Sequence, residues 1–98
     1  LEILKANIQC FKSELKSAKI DHYFIESESA IQCAIIPGNE NVKKIASKFQ
    51  EYNYLVKPIL SPTVPKGKER LRFCLHSFNS KEEIKSLVGI LRNALKEI

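Results

Sequence analysis

Leu1, Leu4, Ile8, Phe11 and Leu15 recur at steps of three and four. That spacing predicts an amphipathic helix over 1–17, with Lys5, Gln9, Lys12 and Lys16 off the apolar stripe. The pattern then breaks. Residues 18–29 are polar apart from Tyr23-Phe24-Ile25, and Glu26-Ser27-Glu28-Ser29 reads as a solvent loop. Residues 30–36 are β-branched and almost continuously apolar, which predicts a strand, central in its sheet and covered. Pro37-Gly38 stops it. Asn39, with Asn41 as the alternative, offers a cap for a second helix over about 41–53, whose core stripe is Val42, Ile45, Ala46 and Phe49. Residues 54–60 form a short second strand, and Pro58 argues for an edge position or for the strand's end. Residues 70–77 alternate: Leu71, Phe73 and Leu75 point inward, and Arg70, Arg72, Cys74 and His76 lie on the other face. Ser80-Lys81-Glu82-Glu83 has the form of a capping box. It opens a last helix over about 81–96 with Ile84, Leu87, Val88, Leu91, Leu95 and Ile98 as its apolar positions.

The order helix, strand, helix, strand, strand, helix predicts an α+β fold. Its form is a two-layer small domain, with helices packed on one face of a three-stranded, mainly antiparallel sheet. The second face of that sheet, carrying Arg72, Cys74 and His76, is left for water or for another part of a larger protein. Ninety-eight residues make a single domain spanning 1–98.

Composition changes this picture little. The chain is 44% hydrophobic, enough for a small core, and has no apolar run of transmembrane length. Its net charge is +5, but the lysines are scattered singly and in pairs with acids among them. That is a solvated surface rather than a nucleic-acid face. The three cysteines, Cys10, Cys33 and Cys74, are far apart, with no metal-ligand spacing. Buried free thiols in a reducing cytoplasm are expected. The chain has no methionine, so Leu1 is expected to be the product of processing or the edge of an excised fragment, and the helical pattern that starts at residue 1 favours the fragment.

Chemistry is sparse. His22 and His76 are the only histidines and have no evident partners, and the three glycines are isolated rather than gathered in a phosphate loop. Glu82 and Glu83 suit the start of a helix. What stands out is residues 61–72, where prolines at 62 and 65 stiffen a loop, Gly67 turns it, and a strand with Arg70 and Arg72 follows. The guanidinium of Arg72 could take a carboxylate in two parallel hydrogen bonds. Alternatively it forms a surface salt bridge, with Glu69 or a neighbouring strand as partner. Arg70, nearer the strand's start, suits solvent or a salt bridge. Thr63 could donate its hydroxyl to the same bound group, or bond its own backbone as a turn residue.

Pro62-Thr63-Val64-Pro65-Lys66-Gly67, followed by Arg70-Leu71-Arg72, closely resembles the C-terminal signature of the α-oxoamine synthases. These are pyridoxal-phosphate enzymes of aminotransferase fold type I. Ala30-Ile31-Gln32 and the passage from Leu75 to Glu83 extend the likeness over nearly the whole chain. The resemblance implies the small C-terminal domain of a larger, cytoplasmic, homodimeric synthase whose substrates are an amino acid and an acyl thioester. Thr63 favours the branch that condenses L-alanine with pimeloyl-CoA, or the carrier-protein thioester, with loss of carbon dioxide in biotin synthesis. Arg72 matches the family arginine that binds a substrate carboxylate, and Thr63 a threonine close to the active site. The family's Schiff-base lysine, stacking histidine and pyridinium-binding aspartate belong to a large domain absent here. The resemblance therefore implies no catalytic residue and no bound pyridoxal 5'-phosphate in this chain alone. His76-Ser77-Phe78-Asn79 departs from the family's small-Ala-Ala-His, so His76 and Asn79 are expected to be structural. Two further readings stand beside this one: the same domain of a sister synthase such as a glycine C-acetyltransferase, and a stand-alone basic binding module.

Overall fold

The computed structural model describes residues 2–98. Leu1, which the periodicity puts on the first stripe, lies outside them. Helix α1 (Glu2–Ser17) buries Ile8, Phe11 and Leu15. A 3-10 turn follows at Asp21–Tyr23. Then come β1 (Ile31–Ile35), α2 (Asn39–Ala46), a 3-10 segment at Ser47–Tyr52, β2 (Val56–Ile59), β3 (Arg70–Cys74) and α3 (Lys81–Leu95). The sheet is wholly antiparallel in the order β1-β3-β2. The helices cover one of its faces, so the α+β two-layer architecture is as the pattern predicts.

The central strand is β3, not β1. The apolar run of β1 alternates once its pairing is known: Gln32 and Ala34 are buried, whereas Ile31 is 48% exposed and Cys33 and Ile35 are half-buried. Gln32 looked like a polar interruption in an apolar strand. Its side chain turns back under the strand, donating to the carbonyls of Ser27 and Ser29 at 3.0 and 2.8 Å. β2 lies at the other edge, where Pro58 removes no sheet hydrogen bond that matters.

Phe73 is the hub of the core. Its ring centroid lies 5.4 Å from Phe11, 5.8 Å from Phe24 and 5.6 Å from Phe49. Phe73 is fully buried, so helix, loop and sheet share one aromatic cluster. The α3 stripe of Ile84, Leu87, Val88, Leu91 and Leu95 closes the layer; Ile98, beyond the helix, is 48% exposed.

The second helix differs from its expected form. Gly38, at φ 98°, occupies the cap position and makes the turn itself, so the helix starts at Asn39 rather than being capped by it. It is also shorter than 41–53, because Phe49 leaves helical geometry to enter the core. The box before α3 is half formed. Ser80 Oγ accepts from the Glu83 amide at 3.0 Å, but the Glu83 carboxylate turns outward to Asn79 Nδ2 at 2.7 Å and the Tyr54 hydroxyl at 3.2 Å. Asn79 is itself buried, and its Oδ1 accepts from the His76 amide at 2.8 Å, so Asn79 shapes the turn between β3 and α3. Asn7 of α1 donates to the His76 and Asn79 carbonyls, at 2.9 and 3.0 Å, and locks that turn to the helix layer.

Phe73→Ala is expected to cost about 3–5 kcal/mol, because it empties the hub of the cluster. Ser80→Ala should cost about 1 kcal/mol through the lost cap. Urea unfolding of the two variants checks both values, and comparable losses would contradict the ranking.

Candidate functional site

The open face of the sheet is set by register. Arg72 in β3 faces Cys33 of β1 on one side and Lys57 of β2 on the other. Arg70 faces Ile35 and Ile59 in the next row. The row Cys33–Arg72–Lys57 therefore sets a guanidinium directly opposite an ammonium, an arrangement that repels. No acidic side chain among the described residues pairs with either cation. The ion pairs among the described residues join Lys12 to Glu26 and Glu28, and Lys48 to Glu97. Arg72 is half-buried, and its Nε is buried with no hydrogen-bond partner among the described residues. A buried donor left unpaired costs roughly 1–3 kcal/mol. An anion on this row would remove the repulsion and give the guanidinium a partner.

The salt bridge between Glu69 and Arg72 does not form. The two residues are three apart in an extended run, so their side chains leave opposite faces. Arg72 goes to the open face, and Glu69 is 2% exposed on the covered side with Leu71 and Phe73. Arg70 is tied to the loop, donating from Nε to the Lys68 carbonyl at 3.1 Å. The cysteines on this face are half-buried rather than buried. Burial pushes the Cys33 thiol up, and the nearby Arg70 and Arg72 draw it partly back down.

The loop that carries Thr63 is braced at both ends. At one end, Ser61 exchanges two hydrogen bonds with the Asn39 side chain: its amide donates to Oδ1 at 3.0 Å, and its carbonyl accepts from Nδ2 at 3.4 Å. At the other, Glu69 Oε1 accepts from the amides of Gly67 at 3.0 Å and Gly38 at 2.9 Å. Both glycines have positive φ, 91° and 98°, and these conformations aim their amides at the carboxylate. Within the loop, Val64 donates to the Leu60 carbonyl at 3.2 Å and Lys68 to that of Pro65 at 2.9 Å. Thr63 sits exposed between the braces, with no side-chain hydrogen bond among the described residues. A cleft of about 410 Å³ runs along the braced side between Gly38, Asn41, Ser61 and Lys66. Neither Arg72 nor Thr63 lines it.

Sequence reading singled out Arg72 and Thr63 but not Lys57, Glu69 or Asn39. Lys57 became visible only with the register. Glu69, standing between lysine and arginine, entered only as a candidate salt-bridge partner of Arg72. The one signal for it was its odd-numbered phase with Leu71 and Phe73. His22 is exposed and stacks on Tyr23 at 4.5 Å, and His76 stacks on Phe78 at 4.7 Å. Neither has a catalytic partner among the described residues.

No protein-family profile matches the chain. Individual relatives do. Over 93 residues, 95% of its length, the chain is 36% identical to an 8-amino-7-oxononanoate synthase from Citrobacter koseri. The chain belongs to the 8-amino-7-oxononanoate synthase family, as a part of its members' length. It spans 24% of the Citrobacter protein and 13–24% of other curated relatives it matches. Its fold is that of the matching part of an 8-amino-7-oxononanoate synthase from Francisella tularensis, with a TM-score of 0.77 at 22% identity, covering 98% of this chain and 27% of that one. A serine palmitoyltransferase from S. paucimobilis, solved with pyridoxal phosphate bound, aligns at a TM-score of 0.76 and 20% identity, covering 98% of this chain and 24% of that one. At these identities the structural likeness is one of fold: the small domain of a fold type I transferase.

The hydrogen bonds from Gly38, from its own amide and from Gly67 hold the Glu69 carboxyl below the ordinary glutamate value of 4.5, against the opposing effect of burial. A depressed folded pKa means that the ionised form stabilises the fold above the unfolded value. That contribution is lost as pH falls from about 4.5 through the lower folded value. The acid limb of the stability curve should therefore flatten in Glu69→Gln, as read by urea melts at a series of pH values. An unchanged limb would mean that other carboxylates set it.

Proposed function

We propose that this chain is the C-terminal small domain of a pyridoxal-phosphate-dependent synthase that condenses L-alanine with a pimeloyl thioester, with decarboxylation, to give 8-amino-7-oxononanoate for biotin synthesis. Its part in that reaction is to bind the amino-acid carboxylate through Arg72, with Thr63 beside the bound group. The observation that carries the reading is the orphaned, buried Nε of Arg72 set opposite Lys57 on an open sheet face. The family relationship supplies the reaction class, and the physics supplies the ligand class: a carboxylate.

The residues present do not fit pyridoxal 5'-phosphate itself. Lys12, the one lysine that is not exposed, has its ammonium held by Glu26 and Glu28, whose hydrogen bonds raise its pKa further from a reactive amine. The electron sink that the cofactor supplies must be anchored elsewhere. What Arg72 contributes is orientation. Two parallel hydrogen bonds from a guanidinium fix a carboxylate in plane as well as in place, which a single ammonium does not. Strand β3 is the central strand, so the guanidinium stands on a backbone paired on both sides.

In the synthase that contains this chain, Arg72→Ala should raise KM for L-alanine by about a hundredfold, the equivalent of a lost charge-assisted pair of roughly 2.7 kcal/mol. Arg72→Lys should recover only part of it, because the ammonium lacks the fork. A KM for L-alanine unchanged in Arg72→Ala removes the residue from the site. The 98-residue chain alone, mixed with pyridoxal 5'-phosphate and reduced with borohydride, should show no stoichiometric covalent adduct by mass spectrometry. A specific adduct on one lysine would overturn the division of labour proposed here.

A further inference from the structure

Glu69 does not touch the open face, yet it joins the segments that have to agree for that face to work. We infer that Glu69 is a positioning residue for the carboxylate site, a role that rests on the reading of Arg72 and Thr63 given above. Its carboxylate is buried, and through one oxygen it holds two backbone amides: Gly38, which starts α2, and Gly67, which ends the loop carrying Thr63. Its backbone carbonyl accepts from the Ile36 amide at 2.8 Å, extending the β1–β3 ladder to the point where the loop enters the sheet. Three residues on stands Arg72. A single side chain thus ties the far end of the Thr63 loop to the strand that presents the guanidinium.

The geometry calls for an oxygen acceptor. Both glycines hold φ values near +90°, where their N–H vectors converge on one acceptor. An apolar residue of similar size could fill the space but would leave both donors unpaired. The Asn39–Ser61 pair braces only the near end of the loop. With Glu69 lost, residues 62–67 keep one anchor and gain freedom at the end that leads into β3.

The test is made in the whole synthase with L-alanine and pimeloyl-CoA as the varied substrates. Glu69→Ala is expected to raise KM for L-alanine about tenfold, in line with the sensitivity of a bound geometry to small displacements, and to leave KM for the thioester within about twofold. Glu69→Gln keeps an oxygen acceptor and should rescue most of the effect, leaving a rise of about threefold. If Glu69→Ala does not fold, the Gln variant carries the test, and an unaltered KM for L-alanine there overturns the inference. A fall in kcat per total enzyme with both KM values unchanged also overturns it, because that is the signature of a role confined to stability. Arg72→Ala run in parallel separates the two ideas. If Arg72→Ala shifts KM for L-alanine and the Glu69 variants do not, the positioning role fails alone. If Arg72→Ala has no effect either, the carboxylate reading fails first.

Discussion

A buried carboxylate set between two left-handed glycines is the constraint from which this domain takes its working shape. Burying a charge is unfavourable unless donors replace the water it loses. At Glu69 those donors are backbone amides, one from the start of α2 and one from the loop before β3. Satisfying the carboxylate and closing the loop onto the start of α2 are therefore one event. The arrangement also explains why the loop is stiff. Its prolines restrict φ locally, but its position relative to the sheet is set by hydrogen bonds to Glu69 and Asn39.

The two faces of β3 divide the labour. On the covered face, Leu71 and Phe73 are fully buried, Phe73 among Phe11, Phe24 and Phe49, and they supply stability. On the open face, the opposed Arg72 and Lys57 oppose stability slightly, and nothing within the described residues compensates them. Opposed charges of this kind are held in an unfavourable state by a scaffold that can bear it. Here the scaffold is the central position of β3 and the volume of Phe73 behind it.

Much of this was legible in the chain. The stripes of α1 and α3 follow from their periodicity, because each has one apolar face and a clear start or stop. The alternation of residues 70–75 placed Arg72 opposite the core correctly. What the sequence could not report was pairing. An isolated reading of Ile31–Ile35 finds nearly all apolar residues and concludes that both faces are covered; the order β1-β3-β2 makes it an edge strand with an open face. The same missing information hid Lys57, whose meaning depends on a partner fifteen positions away. Glu69 and Asn39 were misread for a different reason. Their side chains bond backbone groups brought near by Gly38 and Gly67, and such bonds leave no periodic trace. The half-formed box at Ser80 failed through competition: Glu83 has two outward partners, Asn79 and Tyr54, that the local motif does not contain.

The edges of the sheet carry one more consequence. A three-stranded sheet ends in two rows of unpaired backbone groups, which can recruit strands from other chains. Both rows are blunted here. Phe24 bridges to Ala34, and the Ile25 amide donates to the Cys33 carbonyl at 3.0 Å, so the outer side of β1 is already taken. On β2, Pro58 lacks the donor that an incoming strand would need. Growth of the sheet into fibrous aggregates is thus obstructed on either side, and the exposed Ile31 and the open cationic row can be tolerated without that hazard.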